Sequence, residues 1–231
     1  MGNKQDFSPF ILLRKIEQLT ELRGFIVGGF VRDTLLGYPP LDADYLLYGE
    51  EAINKFLLYF PEAFLVNKKH RVYRFKKYDI SFTHNSKTIE LEQYGRLAPR
   101  EDLFERDYTI NTLMVDSLGY YTDYFGGLED LKNKELKPVR LENILPYGIR
   151  IIRGCRIAAS RELELCLAQK DILKTDFSGV KEENFLYEFK KAEAEGVAAK
   201  FVQLLVEKGI AKRIDAKYEK IFQILRANST P

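Results

Sequence analysis

Two aspartates, Asp42 and Asp44, are the residues whose types and spacing best suit chemistry in this chain. Along a β-strand, residues i and i+2 point to the same face, so both carboxylates can meet at one point. Paired carboxylates suit Mg²⁺, which proteins usually hold with one or two carboxylates plus the phosphates of a substrate. The alternative is a solvated turn that follows Pro39 and Pro40. The spacing therefore indicates a candidate metal site.

The residues on either side favour the metal site over the turn. Apolar Phe25–Val27 leads into the glycines Gly28 and Gly29, and Tyr45–Tyr48 reads as a strand. A carboxylate on a half-buried element is costly unless a cation compensates its charge. The glycines let the backbone approach phosphate closely, although a structural turn would also explain them. Neither a P-loop motif nor a GxGxxG dinucleotide motif is present.

Four motifs resemble, in the same order, those of the class II tRNA nucleotidyltransferase and bacterial poly(A) polymerase family, within the superfamily of DNA polymerase beta. The motifs are Gly28–Asp44, Glu101–Thr112, Asp123–Leu131 and Arg150–Ala159. The resemblance implies an α+β fold: a DNA-polymerase-beta-like nucleotidyltransferase head with a small mixed sheet over residues 1–140. An all-helical neck that binds nucleotide and RNA would follow over residues 141–231.

The resemblance also implies a reaction. The 3′-OH of an RNA would attack the α-phosphate of ATP or CTP, and pyrophosphate would leave, with two Mg²⁺ ions about 3.5–4 Å apart assisting. The product would be an RNA 3′ end extended by CMP and/or AMP, with the tRNA acceptor end as the expected partner (CCA, CC or A addition). Tailing of other RNAs by a poly(A) polymerase and a non-catalytic RNA-binding or regulatory relative are the alternatives.

The head residues take their expected roles from the resemblance. Asp42 and Asp44 would hold the metal, and Asp79 stands where the superfamily often has a third catalytic carboxylate. An exposed polar strand residue is an equal alternative for Asp79. The expected nucleotide-binding residues of the head are Gly28, Gly29, Arg32, Asp33, Arg106, Asp107 and Asn111. Arg106 and Asp107 would contact the ribose.

The neck departs from the family at one position. The family's Glu-Asp-x-x-Arg motif recognises cytosine or adenine through its Asp and Arg, whereas Tyr147 stands at the Asp position here. A tyrosine hydroxyl accepts a hydrogen bond more weakly than a carboxylate, and its ring can stack on a base. The expected nucleotide-binding residues of the neck are Tyr147, Arg150 and Arg153. The base that would be added stays open.

Positive charge is concentrated beside this motif. Between Lys132 and Arg161 the chain has eight basic residues and two acidic ones. A helix that begins at Arg150 would place its arginines within one arc of less than half a turn. Such a face suits a triphosphate or an RNA backbone, whereas a solvated face paired with nearby acids is the alternative. The expected RNA-binding residues are Arg156, Arg161, Lys132 and Lys134.

The composition agrees with a globular protein that has no membrane segment. The chain has 231 residues, a net charge of +2 and no apolar run long enough to cross a bilayer. Cys155 and Cys166 are expected to be free thiols in a cytoplasmic protein. The chain ends soon after the neck, which leaves three alternatives: the short cationic surface holds RNA alone, a homo-oligomer or a partner replaces the family's tail domain, or the sequence is a piece of a longer protein.

Periodicity predicts where helices and strands alternate. Strands and short helices alternate up to Pro138; Asn111–Val115 is predicted to be helical and Tyr78–Phe82 to be a strand. After Pro138 the pattern is helical throughout. The predicted helices there are Arg150–Cys166, Lys181–Gly196, Ala198–Lys208 and Ala216–Arg226.

Overall fold

The computed structural model describes residues 8–40, 42–49, 51–68, 70–82, 89–91 and 97–214. The chain divides into two compact units, which we call the head and the neck. The head consists of Met1–Arg106 and Ile110–Leu128, and the neck consists of Asp107–Thr109 and Glu129–Pro231. Residues 107–109 and 129–140 therefore group with the neck, whereas the sequence placed them in the head.

The head combines short helices with strands. Its helices are α1 (Pro9–Thr20), α2 (Gly29–Leu35), α3 (Ala52–Tyr59) and α4 (Arg100–Phe104). Its strands are β1 (Arg23–Val27), β2 (Asp44–Tyr48), β3 (Phe64–Asn67), β4 (Val72–Phe75), β5 (Tyr78–Phe82), β6 (Ile89–Leu91), β7 (Leu97–Pro99), β8 (Met114–Val115) and β9 (Tyr121–Thr122). Helix α5 (Gly127–Lys132) runs from the last residues of the head into the neck.

One mixed sheet organises the head. Its seven strands follow the order β3-β4-β5-β2-β1-β8-β9, in which β2 is antiparallel to β1 and parallel to β5. The central strands β1 and β2 are almost fully buried because their apolar residues face helices or the core. The predicted α+β class and the small mixed sheet are confirmed.

The neck is mainly helical. Its helices after α5 are α6 (Gly148–Arg161), α7 (Gln169–Lys174), α8 (Glu182–Ala194) and α9 (Ala198–Glu207). Two short strands, β10 (Glu135–Leu136) and β11 (Glu164–Leu165), pair in parallel, so the neck is not all-helical as expected. Tyr108 lies against α6, where its hydroxyl donates to the Arg150 carbonyl oxygen over 2.9 Å. A Cβ at Gly154 would collide with this hydroxyl, so the close approach requires glycine there.

Two predicted elements differ from the structure, and a third lies outside the described residues. The predicted helix Asn111–Val115 is wrong, since a short 3₁₀ turn precedes strand β8, whose Met114 pairs with Val27 of β1. Helix α6 ends at Arg161 rather than at Cys166, because Glu162 adopts a left-handed conformation with a φ of 55° and β11 follows. The predicted helix Ala216–Arg226 lies outside the described residues.

Among the residues that the structure describes, no helix combines the length and the apolar character needed to span a bilayer.

Candidate active site

Asp44 occupies the first position of β2, at one end of the head's sheet. In the sheet register, Asp44 pairs with Val27 of β1 on one side and with Asp79 of β5 on the other. Neighbouring strands are about 4.8 Å apart, and partners in register point to the same face. Asp42 lies just before the strand, and both Asp42 and Asp44 are exposed. The register therefore brings two of the three predicted carboxylates onto one row, with the third close in the chain.

Asp79 forms an ion pair with Arg74, which is not among the site residues predicted from the sequence. Arg74 of β4 pairs with Asp79 in register and donates two hydrogen bonds to its carboxylate, from Nε at 2.7 Å and from Nη2 at 3.0 Å. In the described part of the chain, no three His, Cys, Asp or Glu side chains are grouped closely enough to hold a metal ion. The two hydrogen bonds from Arg74 favour a structural ion pair over a third metal ligand at Asp79.

The glycine pair turns the chain directly beside Asp44. Gly28 has a φ of +73°, a backbone conformation that L side chains rarely adopt. A Cβ at Gly28 would lie 3.2 Å from Nη1 of Arg106 and 3.9 Å from Oδ2 of Asp44. Gly29 begins α2, and a Cβ there would lie 3.5 Å from Nη2 of Arg32. A side chain at Gly28 would thus fill the space between the carboxylate and the arginine.

A buried hydrogen-bond network fixes the arginines around this turn. Arg32 donates from Nε to Oδ1 of Asp33 and from Nη1 to Oδ1 of Asn111, each over 2.8 Å. Arg106 donates from Nη1 to the carbonyl oxygen of Asn111 over 3.1 Å. Asn111 therefore positions both guanidinium groups, and five predicted head residues (Gly28, Arg32, Asp33, Arg106 and Asn111) form one cluster.

Asp107 follows Arg106 in the chain but groups with the neck. Its carboxylate is buried, and it accepts hydrogen bonds from the Tyr108 amide at 2.8 Å and from Nη1 of Arg153 at 3.1 Å. Although burial opposes ionisation of Arg153, its attraction to Asp107 and Glu188 raises its pKa above the ordinary value. Arg106 and Asp107 are both predicted to contact the ribose, but their hydrogen-bond partners lie in different units: Asn111 in the head and Arg153 in the neck.

Tyr147 and Arg150 stand at the start of α6. The guanidinium of Arg150 lies over the Tyr147 ring, 5.1 Å from its centroid, within the range of a cation–π contact. Nη1 of Arg150 also donates to the carbonyl oxygen of Asn143 over 2.8 Å. Tyr147 is 49% exposed. An aromatic ring and a guanidinium plane are therefore presented together where the family motif would place an Asp and an Arg.

The remaining arginines of α6 are neutralised by helix α8. Glu188 accepts from Nε of Arg153 at 2.8 Å and from Nε of Arg156 at 2.7 Å. Glu195, just after α8, accepts from Arg156 at 2.9 Å and from Arg161 at 3.1 Å. Although burial opposes ionisation of Glu188, the two guanidinium groups hold the pKa of its carboxyl below its ordinary value. The arginines and glutamates form one internal charge network.

Residues 24–137 match the family described as the Poly A polymerase head domain. Over these residues, just under half of the chain, the protein is similar to that family. The expected kinship with class II tRNA nucleotidyltransferases and poly(A) polymerases is confirmed. The A-adding tRNA nucleotidyltransferase of Aquifex aeolicus is 30% identical over 169 residues, which cover 66% of this chain and 20% of that protein.

Two solved structures share the fold of this chain. The Thermotoga maritima CCA-adding enzyme complexed with tRNA superposes with a TM-score of 0.70 and 21% identity, over 90% of this chain and 53% of that one. The Bacillus stearothermophilus CCA-adding enzyme in complex with CTP gives a TM-score of 0.69 and 24% identity, over 88% and 53%. The chain therefore spans about half the length of these solved relatives.

The expected RNA-binding face of α6 needs correction. Arg156 and Arg161 are buried, and their charges are met by carboxylates, which argues against RNA contact through either side chain. Few acids lie close to these arginines in the chain, but Glu188 lies in α8 and Glu195 lies just after it. Lys132 and Lys134 are exposed, with Lys132 3.7 Å from Glu129, so their expected contact with RNA stays a prediction.

Two residues with evident roles were missed, and both left a signal in the sequence. Arg74 lies next to a hairpin turn: Phe75 pairs with Tyr78 across a two-residue loop, and the next pair in this register places Arg74 opposite Asp79. Glu188 shares the apolar face of α8, and a carboxylate on a buried face requires a charged partner.

Proposed function

We propose that the chain carries the head and neck of a template-independent RNA nucleotidyltransferase that adds CMP and/or AMP to the 3′ end of tRNA. The observation that carries this proposal is the end of the head's sheet, where exposed Asp42 and Asp44 lie beside the Gly28 turn. The names of the relatives support it, since they describe an A-adding enzyme, a CCA-adding enzyme with tRNA and another with CTP.

The carboxylates at the start of β2 fit Mg²⁺. Asp42 and Asp44 are hard oxygen donors, both exposed, and a magnesium site needs only one or two carboxylates when phosphates complete it. These residues would hold the two ions expected from the family. When bound, the ions would lower the pKa of the RNA 3′-OH and neutralise charge on the leaving pyrophosphate.

The protein's own groups would hold the nucleoside triphosphate on the β1 side of Asp44. The turn at Gly28 leaves room for phosphate oxygens beside Asp44, where any side chain would intrude. Arg32 is fixed by Asp33 and Asn111, so its charge is pre-oriented and little side-chain entropy is lost when a phosphate binds. Arg106, bound to the same asparagine, completes a cationic wall next to the glycines.

Ribose and base would be recognised by residues of the neck. Asp107 is the proposed acceptor for a ribose hydroxyl, and Arg153 orients its carboxylate. Tyr147 and Arg150 offer a stacking surface and hydrogen-bond donors in place of an ionised acceptor. This arrangement favours a purine such as ATP, because larger rings stack on tyrosine over more area. The same preference for ATP makes poly(A)-type tailing of other RNAs the second candidate function.

The test supplies each of the four ribonucleoside triphosphates separately, with Mg²⁺, to three RNAs: tRNA that ends before CCA, tRNA that ends in CC, and an unstructured RNA. We expect A addition to the CC-ended tRNA. C addition to the first RNA would extend the proposal to CC or CCA synthesis, and repeated A addition to the third would replace it with tailing. No incorporation above an Asp42→Ala control would refute the enzyme. The proposal also places the protein in the cytoplasm, together with its tRNA substrate.

A further inference from the structure

A run of positive charge in the head has contributed only Arg74 to the site described so far. From Lys68 to Lys77 the chain contains six lysines and arginines and no acidic residue. The run covers the turn before β4, strand β4 itself and the turn that joins β4 to β5. Runs of like charge are usually solvated surface, so position in the fold must decide whether this one has a function.

The register places one end of this run beside the catalytic carboxylates. Asp44 and Asp79 pair in parallel, so the residues two positions earlier, Asp42 and Lys77, precede their strands at the same end of the sheet. Arg74 lies on the same row as Asp79 and Asp44, two strands away from Asp44. At about 4.8 Å per strand, its backbone is roughly 10 Å from that of Asp44.

The side chains at this end are held towards solvent. Lys76 and Lys77 are exposed, and their ammonium groups lie over the rings of Phe75 and Tyr78, at 5.3 and 5.5 Å from the centroids. The side chain of Arg74 is 45% exposed even though it binds Asp79. The side chains of Lys76 and Lys77 are therefore exposed to solvent at this end of the sheet, whereas Arg156 and Arg161 of the neck are buried.

The two sides of Asp44 differ in what they offer. The Gly28 turn and Arg32 lie on the β1 side, where we have placed the triphosphate. Arg74 and the two lysines lie on the β5 side. In a displacement at phosphorus the attacking and leaving oxygens are in line on opposite sides of the phosphorus atom, so the attacking strand must approach from the side away from the pyrophosphate.

We propose that Lys76 and Lys77 bind backbone phosphates of the RNA that is extended, and so bring its 3′-OH to Asp44. This inference rests on the proposed function and adds where the RNA end lies. Two cations match two neighbouring phosphates, a short contact that is independent of sequence.

The same hairpin supplies a matched control. Lys76 and Arg71 both have positive φ, 54° and 48°, and each lies in a turn with a second exposed cation, Lys77 or Lys68. The double variants Lys76→Asn/Lys77→Gln and Lys68→Gln/Arg71→Asn remove the same charge, and asparagine tolerates the left-handed conformation. The control turn is at the far end of β4, about 13 Å away for a strand of four residues.

Binding is measured by fluorescence anisotropy of a labelled single-stranded RNA without nucleotide, over a range of salt concentrations. For Lys76→Asn/Lys77→Gln we expect roughly tenfold weaker binding at low salt and a slope of log affinity against log salt that is smaller by about 1.4. Lys77→Gln alone, which leaves the left-handed position intact, should give about half of the slope change. The control pair should bind RNA like the unmodified protein.

Equal losses in both double variants, or no loss in either, would overturn the inference. Binding of ATP and CTP to the same variants is measured in parallel. If nucleotide binding weakens while RNA binding is retained, the lysines bind the triphosphate and the RNA site is refuted. Failure of the proposed function is recognised separately, as an absence of nucleotide transfer by the unmodified protein, because the anisotropy measurement does not depend on activity.

Discussion

Helix α6 of the neck and the β4–β5 hairpin of the head are both rich in positive charge, but they use it differently. Arg156 and Arg161 of α6 are buried against Glu188 and Glu195, and these carboxylates neutralise their charge inside the protein. The hairpin exposes Lys76 and Lys77 at the end of the sheet that carries the carboxylates. Local charge density is therefore a poor guide to binding, because distant acids decide how much of it reaches solvent.

The largest expected effect lies at the carboxylates between the hairpin and the glycine turn. Asp44→Asn keeps the shape of the side chain but removes a carboxylate that we propose holds Mg²⁺, so we expect nucleotide transfer to fall roughly a thousandfold or more. Because Asp44 is exposed, the midpoint of thermal unfolding should change little. Transfer is followed by incorporation of labelled AMP. If the variant retains more than about a tenth of the activity, this end of the sheet is not the active site.

A large effect on stability, rather than on binding, is expected in the neck. Glu188→Ala removes the carboxylate that Arg153 and Arg156 share, while Asp107 and Glu195 still meet part of their charge, so the free energy of unfolding should fall by about 1.5–3 kcal/mol. Urea unfolding monitored by circular dichroism measures the change. Glu183→Gln on the same helix is the control, since the exposed Glu183 lies 3.8 Å from an exposed lysine. If both variants are equally stable, the network does not have the role assigned to it.

Acid should weaken the same network. The pKa of Glu188 is lowered in the folded protein, so its contribution to the free energy of unfolding is complete above the unfolded value of about 4.3 and is lost as pH falls through the folded value. Unfolding free energies measured from about pH 6 down to about pH 3 should therefore fall less steeply in Glu188→Gln than in the unmodified protein. If the free energy of unfolding falls equally steeply with pH in both proteins, the role assigned to Glu188 is wrong.

The smallest expected effect concerns the exposed lysines of the neck. Lys132→Gln/Lys134→Gln removes two surface charges, which should weaken RNA binding only a few-fold at low salt and not at all at high salt. The anisotropy titration used for the hairpin measures it. A loss larger than that of Lys76→Asn/Lys77→Gln would reverse the comparison and place the main RNA contact on the neck.

Much of the candidate site was readable from the sequence because its residues are close in the chain and adjacent in the sheet. The strand Tyr78–Phe82 has the bounds that its apolar alternation predicts, and Asp42 and Asp44 flank the start of β2 as expected. The helix predicted for Asn111–Val115 failed because pairing with β1 overrides local propensity there. No local pattern shows that Glu188 meets Arg153, since 35 residues separate them.

The sequence by itself determined the chemistry of the head: two carboxylates, a glycine turn and an arginine, whose spacing is local and whose backbone demands are specific to residue type. Only the tertiary structure decided which charges face solvent. The pairing of Arg74 with Asp79, the burial of Arg156 and Arg161, and the accessible lysines of the hairpin all depend on which strands and helices become neighbours. Charged groups pair when they are close in space, and the fold determines which groups are close.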